Sequence, residues 1–128
     1  MFDYLIKNGQ LIDGTGSPAR RADVGITDGK IAAIGDLSAA QAGTVIDAAG
    51  KTVTPGFIDI HRHADAALFR PQFGELELKQ GLTTIVNGNC GLSITPCSGP
   101  YRGEIEAYLT PVTGELPADA DCSSMQAY

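Results

Sequence analysis

Positive charge is scarce in this sequence. Nine Lys and Arg stand against fifteen Asp and Glu, giving a net charge of −6 and a pI near 4.6. With no basic stripe, and no basic patch interleaved with aromatics, the chain has nothing with which to displace counterions, so nucleic acid is excluded as a partner. Long apolar runs are missing as well. Each is cut short by Gly, Asp or Pro, and no membrane span is expected. The opening Met1-Phe-Asp-Tyr-Leu-Ile-Lys7 lacks the basic start and small-residue cleavage site of a secretory signal. Cysteine is sparse: Cys90, Cys97 and Cys122 are an odd number at uneven spacing and make no disulfide framework. A reducing cytoplasm is the simpler setting. What remains is a globular composition, 43% hydrophobic and 19% charged, over 128 residues: one domain, or a piece of a larger protein.

Glycine, by contrast, is plentiful at 16 residues and gathers beside Asn and Asp in the first half. Residues 1–52 read as short strands with tight turns. Residues 2–7 and 10–12 flank Asn8-Gly9, a dipeptide that tolerates positive φ twice and so predicts a hairpin. The same pattern predicts a hairpin through Asp28-Gly29, and a third turn through Ala48-Ala49-Gly50. Together these suggest a small antiparallel sheet that needs a partner layer.

The character changes at Pro55-Gly56. Residues 57–60 are almost continuously apolar, as in a parallel strand covered on both faces. Helix formers follow over 71–80, closed by Gly81, and residues 82–86 are again β-rich. Strand, helix and strand within about 30 residues predict a right-handed βαβ unit. Tyr101, Ile105 and Tyr108 at helical spacing predict a second short helix. Residues 110–122, carrying Pro111, Gly114 and Pro117, read as loop. Ser123 and Gln126 have the spacing of a capping box, which predicts a new helix cut off at Tyr128.

The chemistry gathers where the first buried strand ends. In Val53-Thr-Pro-Gly-Phe-Ile-Asp-Ile-His-Arg-His63, the two histidines lie two apart, so on a strand both imidazoles leave the same face. Two neutral imidazoles held side by side can chelate one divalent ion, zinc first among them, which points to hydrolysis by a metal-activated water. The bland reading is a pair of solvated histidines, but strand C-terminal ends are where barrels and open α/β folds place their chemistry. Cys90, in Asn87-Gly-Asn-Cys-Gly91 just past the second strand, can reach the pair as a thiolate ligand, or be a small buried turn residue. Asp59 shares the parity of the histidines and can fix an imidazole tautomer. Asp65, beyond the strand, can touch substrate or simply be solvated. Arg62 points away as an ion-pair partner, and Cys97 and Cys122 receive no role.

Pro55-Gly-Phe-Ile-Asp-Ile-His-Arg-His63, preceded by Val45-Ile-Asp-Ala-Ala-Gly-Lys51, resembles the amidohydrolase superfamily. Gln80-Gly-Leu-Thr-Thr-Ile-Val-Asn-Gly-Asn-Cys-Gly91 resembles its N-acyl-D-amino-acid deacylase (D-aminoacylase) branch. The resemblance implies an α/β architecture: residues 1–52 as the N-terminal part of a small β-sandwich domain, then residues 53–128 as the first two strands of a (β/α)8 TIM-type barrel. It implies that His61, His63 and Cys90 are ligands of one or two zinc ions. It places the other ligands and a catalytic aspartate beyond Tyr128, so that the 128 residues alone should be inactive. The implied substrate is a small N-acyl amino acid, cleaved at its linear amide. Arg62 and Ala64 depart from the family pattern and bear on substrate preference rather than on metal. A cyclic amidase of dihydroorotase or hydantoinase type shares the His-x-His strand, but Asn89-Cys90-Gly91 fits the deacylases better. A non-catalytic amidohydrolase-like assembly protein ranks lower, because both histidines and the cysteine are present.

Overall fold

Residue 55 divides the chain into two units, 1–55 and 56–128. The computed structural model describes residues 1–128, and the first unit is almost entirely sheet. Strands β1 (Phe2–Lys7), β4 (Asp23–Thr27), β5 (Lys30–Gly35) and β6 (Ala42–Asp47) form a four-stranded sheet in the order β5-β4-β1-β6. Strands β2 (Gln10–Leu11), β3 (Arg20–Arg21) and β7 (Thr52–Val53) form a second sheet in the order β3-β2-β7.

The Asp28-Gly29 turn makes the expected hairpin. Both residues take positive φ, 51° and 70°, and the Asp28 N–H donates to Asp3 Oδ2 at 2.7 Å. The other two turns depart from expectation. Asn8 does adopt φ 64°, yet β1 and β2 do not pair; the chain steps from one sheet to the other at Asn8-Gly9. The same step recurs between β6 and β7. The segments cross side by side, with β1 parallel to β6 and β2 parallel to β7. The first unit is therefore a mixed parallel and antiparallel arrangement rather than the antiparallel sheet expected.

The crossing is tight. A Cβ on Gly9 would lie 2.6 Å from Val53 Cγ2, so only glycine lets the two segments approach this closely. Asp23, nearly buried, accepts the N–H groups of Asn8 (2.9 Å) and Leu37 (3.1 Å), which satisfies backbone donors that no strand partner reaches. Leu5, Leu11, Val24 and Ala48 form the buried apolar interior.

In the second unit β8 (Phe57–Asp59) runs parallel to β9 (Leu82–Ile85), with helix α1 (Glu75–Lys79) between them in sequence. Gly81 takes φ 82° just past the helix, as its C′ position requires. An i,i+4 pair, Glu75 to Lys79 at 2.6 Å, runs in the favourable order along α1. The chain is thus mixed α/β and mostly sheet. Coverage of β8 on both faces is not found within these residues: Phe57 and Ile58 are 56% and 61% exposed.

Helix α2 (Arg102–Thr113) outruns the expected loop boundary and carries Pro111 inside it. Proline there removes only the N–H aimed at Ala107, one turn from the helix end, while Thr113 Oγ1 donates to the Leu109 carbonyl at 3.2 Å. Leu109 packs with Ile94, Ala120 and Cys122, flanked by Phe69, Leu92, Leu116 and Tyr128. The helix expected from Ser123 does not form. Ser124 is used instead, its hydroxyl accepting the Ala127 N–H and its carbonyl the Tyr128 N–H, to close a single turn. No helix is long and apolar enough to cross a membrane.

Candidate metal centre

Two strand ends build this site. Beyond the β8–β9 ladder the chains stay together, Val86 N–H donating to Asp59 at 2.8 Å and Arg62 N–H to Val86 at 3.1 Å. The residues that follow both strands therefore emerge beside one another. From the β8 side come His61 and His63, their ring centroids 5.4 Å apart and their planes at 75°.

Cys90 comes from the turn after β9. It holds φ 59° between Gly88 (φ 73°) and Gly91 (φ 71°), a left-handed backbone that costs a residue with a Cβ about 1–2 kcal/mol. Strained positions of this kind concentrate at functional sites. Here the turn sets Cys90 Sγ 3.3 Å from His61 Nε2. One ligand atom from each of His61, His63 and Cys90 lies within 4.8 Å of the others. Nitrogen at about 2.1 Å and sulfur at about 2.3 Å from a tetrahedral zinc stand roughly 3.6 Å apart, so the spacing suits one ion. His63 Nδ1 is buried with no hydrogen-bond partner, a cost that a buried imidazole nitrogen escapes by meeting a ligand or donor. Donor set, spacing and orphaned nitrogen all fit a borderline-soft divalent cation.

The two aspartates sit elsewhere than their sequence positions suggest. Asp59 Oδ1 accepts the main-chain N–H of His61 at 3.1 Å, and Oδ2 pairs with Arg62 at 3.3 Å; no imidazole is involved. That N–H, with Arg62 adding, holds its carboxyl below the ordinary carboxylate range. Asp65 is not solvated: it is 1% exposed, and its Oδ2 has no partner. Arg62 also pairs with Glu77, in the structural role expected of it. Cys97 and Cys122 are buried, and the Cys97 N–H donates to the Cys122 carbonyl at 2.6 Å.

Three further residues were given no role by sequence reasoning. Asn89 Nδ2 donates to the carbonyls of Arg62 (3.3 Å) and Val86 (2.7 Å), Asn87 Oδ1 accepts from Ala64 N–H (3.2 Å), and Tyr128 Oη donates to the Asp65 carbonyl (3.0 Å). The signal for the asparagines was two carboxamides flanking Gly88 beside a candidate ligand.

Residues 44–107 match the model of the amidohydrolase family. The chain belongs to the amidohydrolase family. Among its relatives, a D-aminoacylase of Alcaligenes xylosoxydans xylosoxydans is 52% identical over 95 residues, covering 74% of this chain and 20% of the relative. The N-acyl-D-glutamate deacylase of Bordetella bronchiseptica, solved with zinc and a phosphonate mimic of the tetrahedral intermediate, superposes with a TM-score of 0.79. It is 45% identical, over 95% of this chain and 26% of that one. A D-aminoacylase with a binuclear metal centre superposes with a TM-score of 0.75 at 42% identity, over 91% of this chain and 25% of that one. This amidohydrolase chain thus spans between a fifth and about a quarter of the length of the relatives it matches.

Proposed function

We propose that the full-length protein is a zinc-dependent deacylase that hydrolyses the linear amide of N-acyl-D-amino acids, and that His61, His63 and Cys90 hold its metal. The observation that carries this reading is the meeting of two imidazoles and one thiol, from the ends of two parallel strands, within 4.8 Å. The zinc of the Bordetella relative and the binuclear centre of the D-aminoacylase support one or two ions.

In this reading β8 and β9 are the first two strands of a (β/α)8 barrel. Residues 1–52 contribute to a β-sandwich domain, and 53–128 open the barrel. Support comes from the parallel pairing through a helix, from the ligands at the strand C-terminal ends, and from the exposed Phe57 and Ile58, which further strands would cover. A barrel needs about 250 residues, so the 128 residues by themselves are expected to be inactive.

Zinc bound at such a site supplies a Lewis acid for the scissile carbonyl and lowers the pKa of water to about 7. The chain's own residues fix where that happens. His61 and His63 offer neutral nitrogen lone pairs, and Cys90 offers a soft anionic sulfur that partly offsets the ion's charge. Asp59 anchors the main chain of His61, so that its ring is carried by a fixed strand end. Hydrolysis adds water across the carbon–nitrogen bond and requires one proton to reach the leaving amine. The carboxylate that moves this proton is expected among residues outside 1–128.

The test is metal content and turnover of full-length Cys90→Ala. Loss of tightly held zinc together with hydrolysis of N-acetyl-D-amino acids is expected. Retention of both would overturn the ligand assignment. Parent protein that opens cyclic hydantoins in preference to linear N-acyl amino acids would overturn the substrate class.

A further inference from the structure

We infer that Asn87, Asn89 and Tyr128 are positioning residues that set the place of His63, and with it the affinity of the site for its metal; this rests on the ligand reading above. The last main-chain bond tying the His-x-His segment to β9 is that of the Arg62 N–H with Val86. Past it, three main-chain groups around His63 are each held by a side chain: the Arg62 carbonyl by Asn89, the Ala64 N–H by Asn87 and the Asp65 carbonyl by Tyr128.

The source of the grip is what matters. Asn87 and Asn89 straddle Gly88 in the turn that presents Cys90, so one turn offers the sulfur ligand and fastens the loop carrying His63. The His63–Cys90 spacing is then set by two amide side chains rather than by a strand ladder. Ligating histidines are ordinarily oriented by a hydrogen bond from their second nitrogen. The buried, unpartnered Nδ1 of His63 is the nitrogen that the ligand reading gives to the metal, and within this chain main-chain anchorage is what orients the ring. Ala64 and Asp65 are themselves buried, so their polar groups find no ready substitute in water if a side chain is lost.

Asparagine suits both jobs because a carboxamide accepts at one end and donates at the other. Asn87 uses the oxygen, which aspartate would retain. Asn89 uses the nitrogen, which aspartate would not.

The experiment uses full-length protein carrying Asn87→Ala, Asn89→Ala, Asn87→Asp and Tyr128→Phe, with His63→Ala and Cys90→Ala as ligand controls. Zinc affinity is read by competition with a chromophoric chelator, and ligand geometry from the thiolate-to-cobalt absorption of the cobalt-substituted protein. Both alanine variants are expected to bind zinc about 10–100-fold more weakly, with a shifted cobalt spectrum. Asn87→Asp, which keeps the acceptor for the Ala64 N–H, is expected to weaken binding less than Asn87→Ala. Tyr128→Phe, which deletes one hydroxyl and opens no large cavity, is expected to weaken binding too and stands in if an alanine variant does not fold. Parent affinity and an unshifted spectrum in the folded Asn87, Asn89 and Tyr128 variants, while the ligand controls lose metal, would overturn this inference alone. Ligand controls that kept their metal would overturn the ligand reading and this inference with it.

Discussion

Gly56→Ala tests whether the β8–β9 contact sets the site. Built on the backbone, the new Cβ would lie 2.1 Å from Thr83 Oγ1, 2.2 Å from Thr83 Cγ2 and 2.7 Å from Thr83 Cβ. Carbon atoms settle at about 3.5–4.0 Å, so all three contacts are deep in repulsion. Turning Thr83 about χ1 moves Oγ1 and Cγ2 but leaves its Cβ in place, and the strands themselves must part. Overpacking of this kind costs about 1–3 kcal/mol, and the upper part of that range is expected because backbone has to move. Thr83→Gly removes every clashing atom, whereas Thr83→Ala leaves the Cβ and should relieve only part. The Gly56→Ala/Thr83→Gly double variant should therefore show a favourable coupling of about 1–2 kcal/mol in a double-mutant cycle read by urea unfolding of the full-length protein. β8 leads into the histidines and β9 into the turn of Cys90, so parting the strands should also widen the 3.3 Å sulfur–nitrogen spacing. Zinc affinity should fall in Gly56→Ala and recover in the double variant. A Gly56→Ala protein as stable as the parent, or two costs that simply add, would refute the reasoning.

The left-handed backbone at Cys90 makes a separate expectation. In metal-free protein, Cys90→Gly should be more stable than Cys90→Ala by about 1 kcal/mol, because only alanine keeps the Cβ penalty; equal unfolding midpoints would count against it. Burial, with the charge of Asp65 adding, pushes the Tyr128 phenol up to about 12 from an ordinary 10. The fold favours the protonated form, so its contribution is complete below pH 10 and is lost as pH climbs from 10 towards 12. Phenolate absorbance of parent minus Tyr128→Phe should show this late titration, and a difference curve centred near 10 would contradict it.

Sequence reading reached furthest where the deciding physics is local. Positive φ at Asn8, Asp28 and Gly81 follows from residue type, and each is observed. What Asn8-Gly9 cannot disclose is the partner of the strand that follows. Gln10 pairs with Thr52 and Arg21, and those distant matches override the hairpin preference of the turn. Pro111 misled for a related reason: its missing N–H matters little so close to the end of α2. At the site, the His-x-His spacing is a local property, but β8 ends at Asp59 and both histidines stand past it, so the strand parity used to pair them does not reach them. The burial of Asp65 was not legible, since it depends on residues sixty positions away, Tyr128 among them. The grip of Asn87 and Asn89 crosses between two strand ends and leaves no period in the sequence.

The paired crossing of the first unit fixes an order of events during synthesis. Leu5 matches Val45 and Gln10 matches Thr52, so the ladders of β1 with β6 and of β2 with β7 cannot exist until about forty further residues have been made. Closing such loops is slow and entropically unfavourable, whereas the Asp28-Gly29 hairpin closes on residues already at hand. β1 must therefore wait with its apolar face open until β6 has been made, and for that interval Leu5 and its neighbours are exposed to wrong partners.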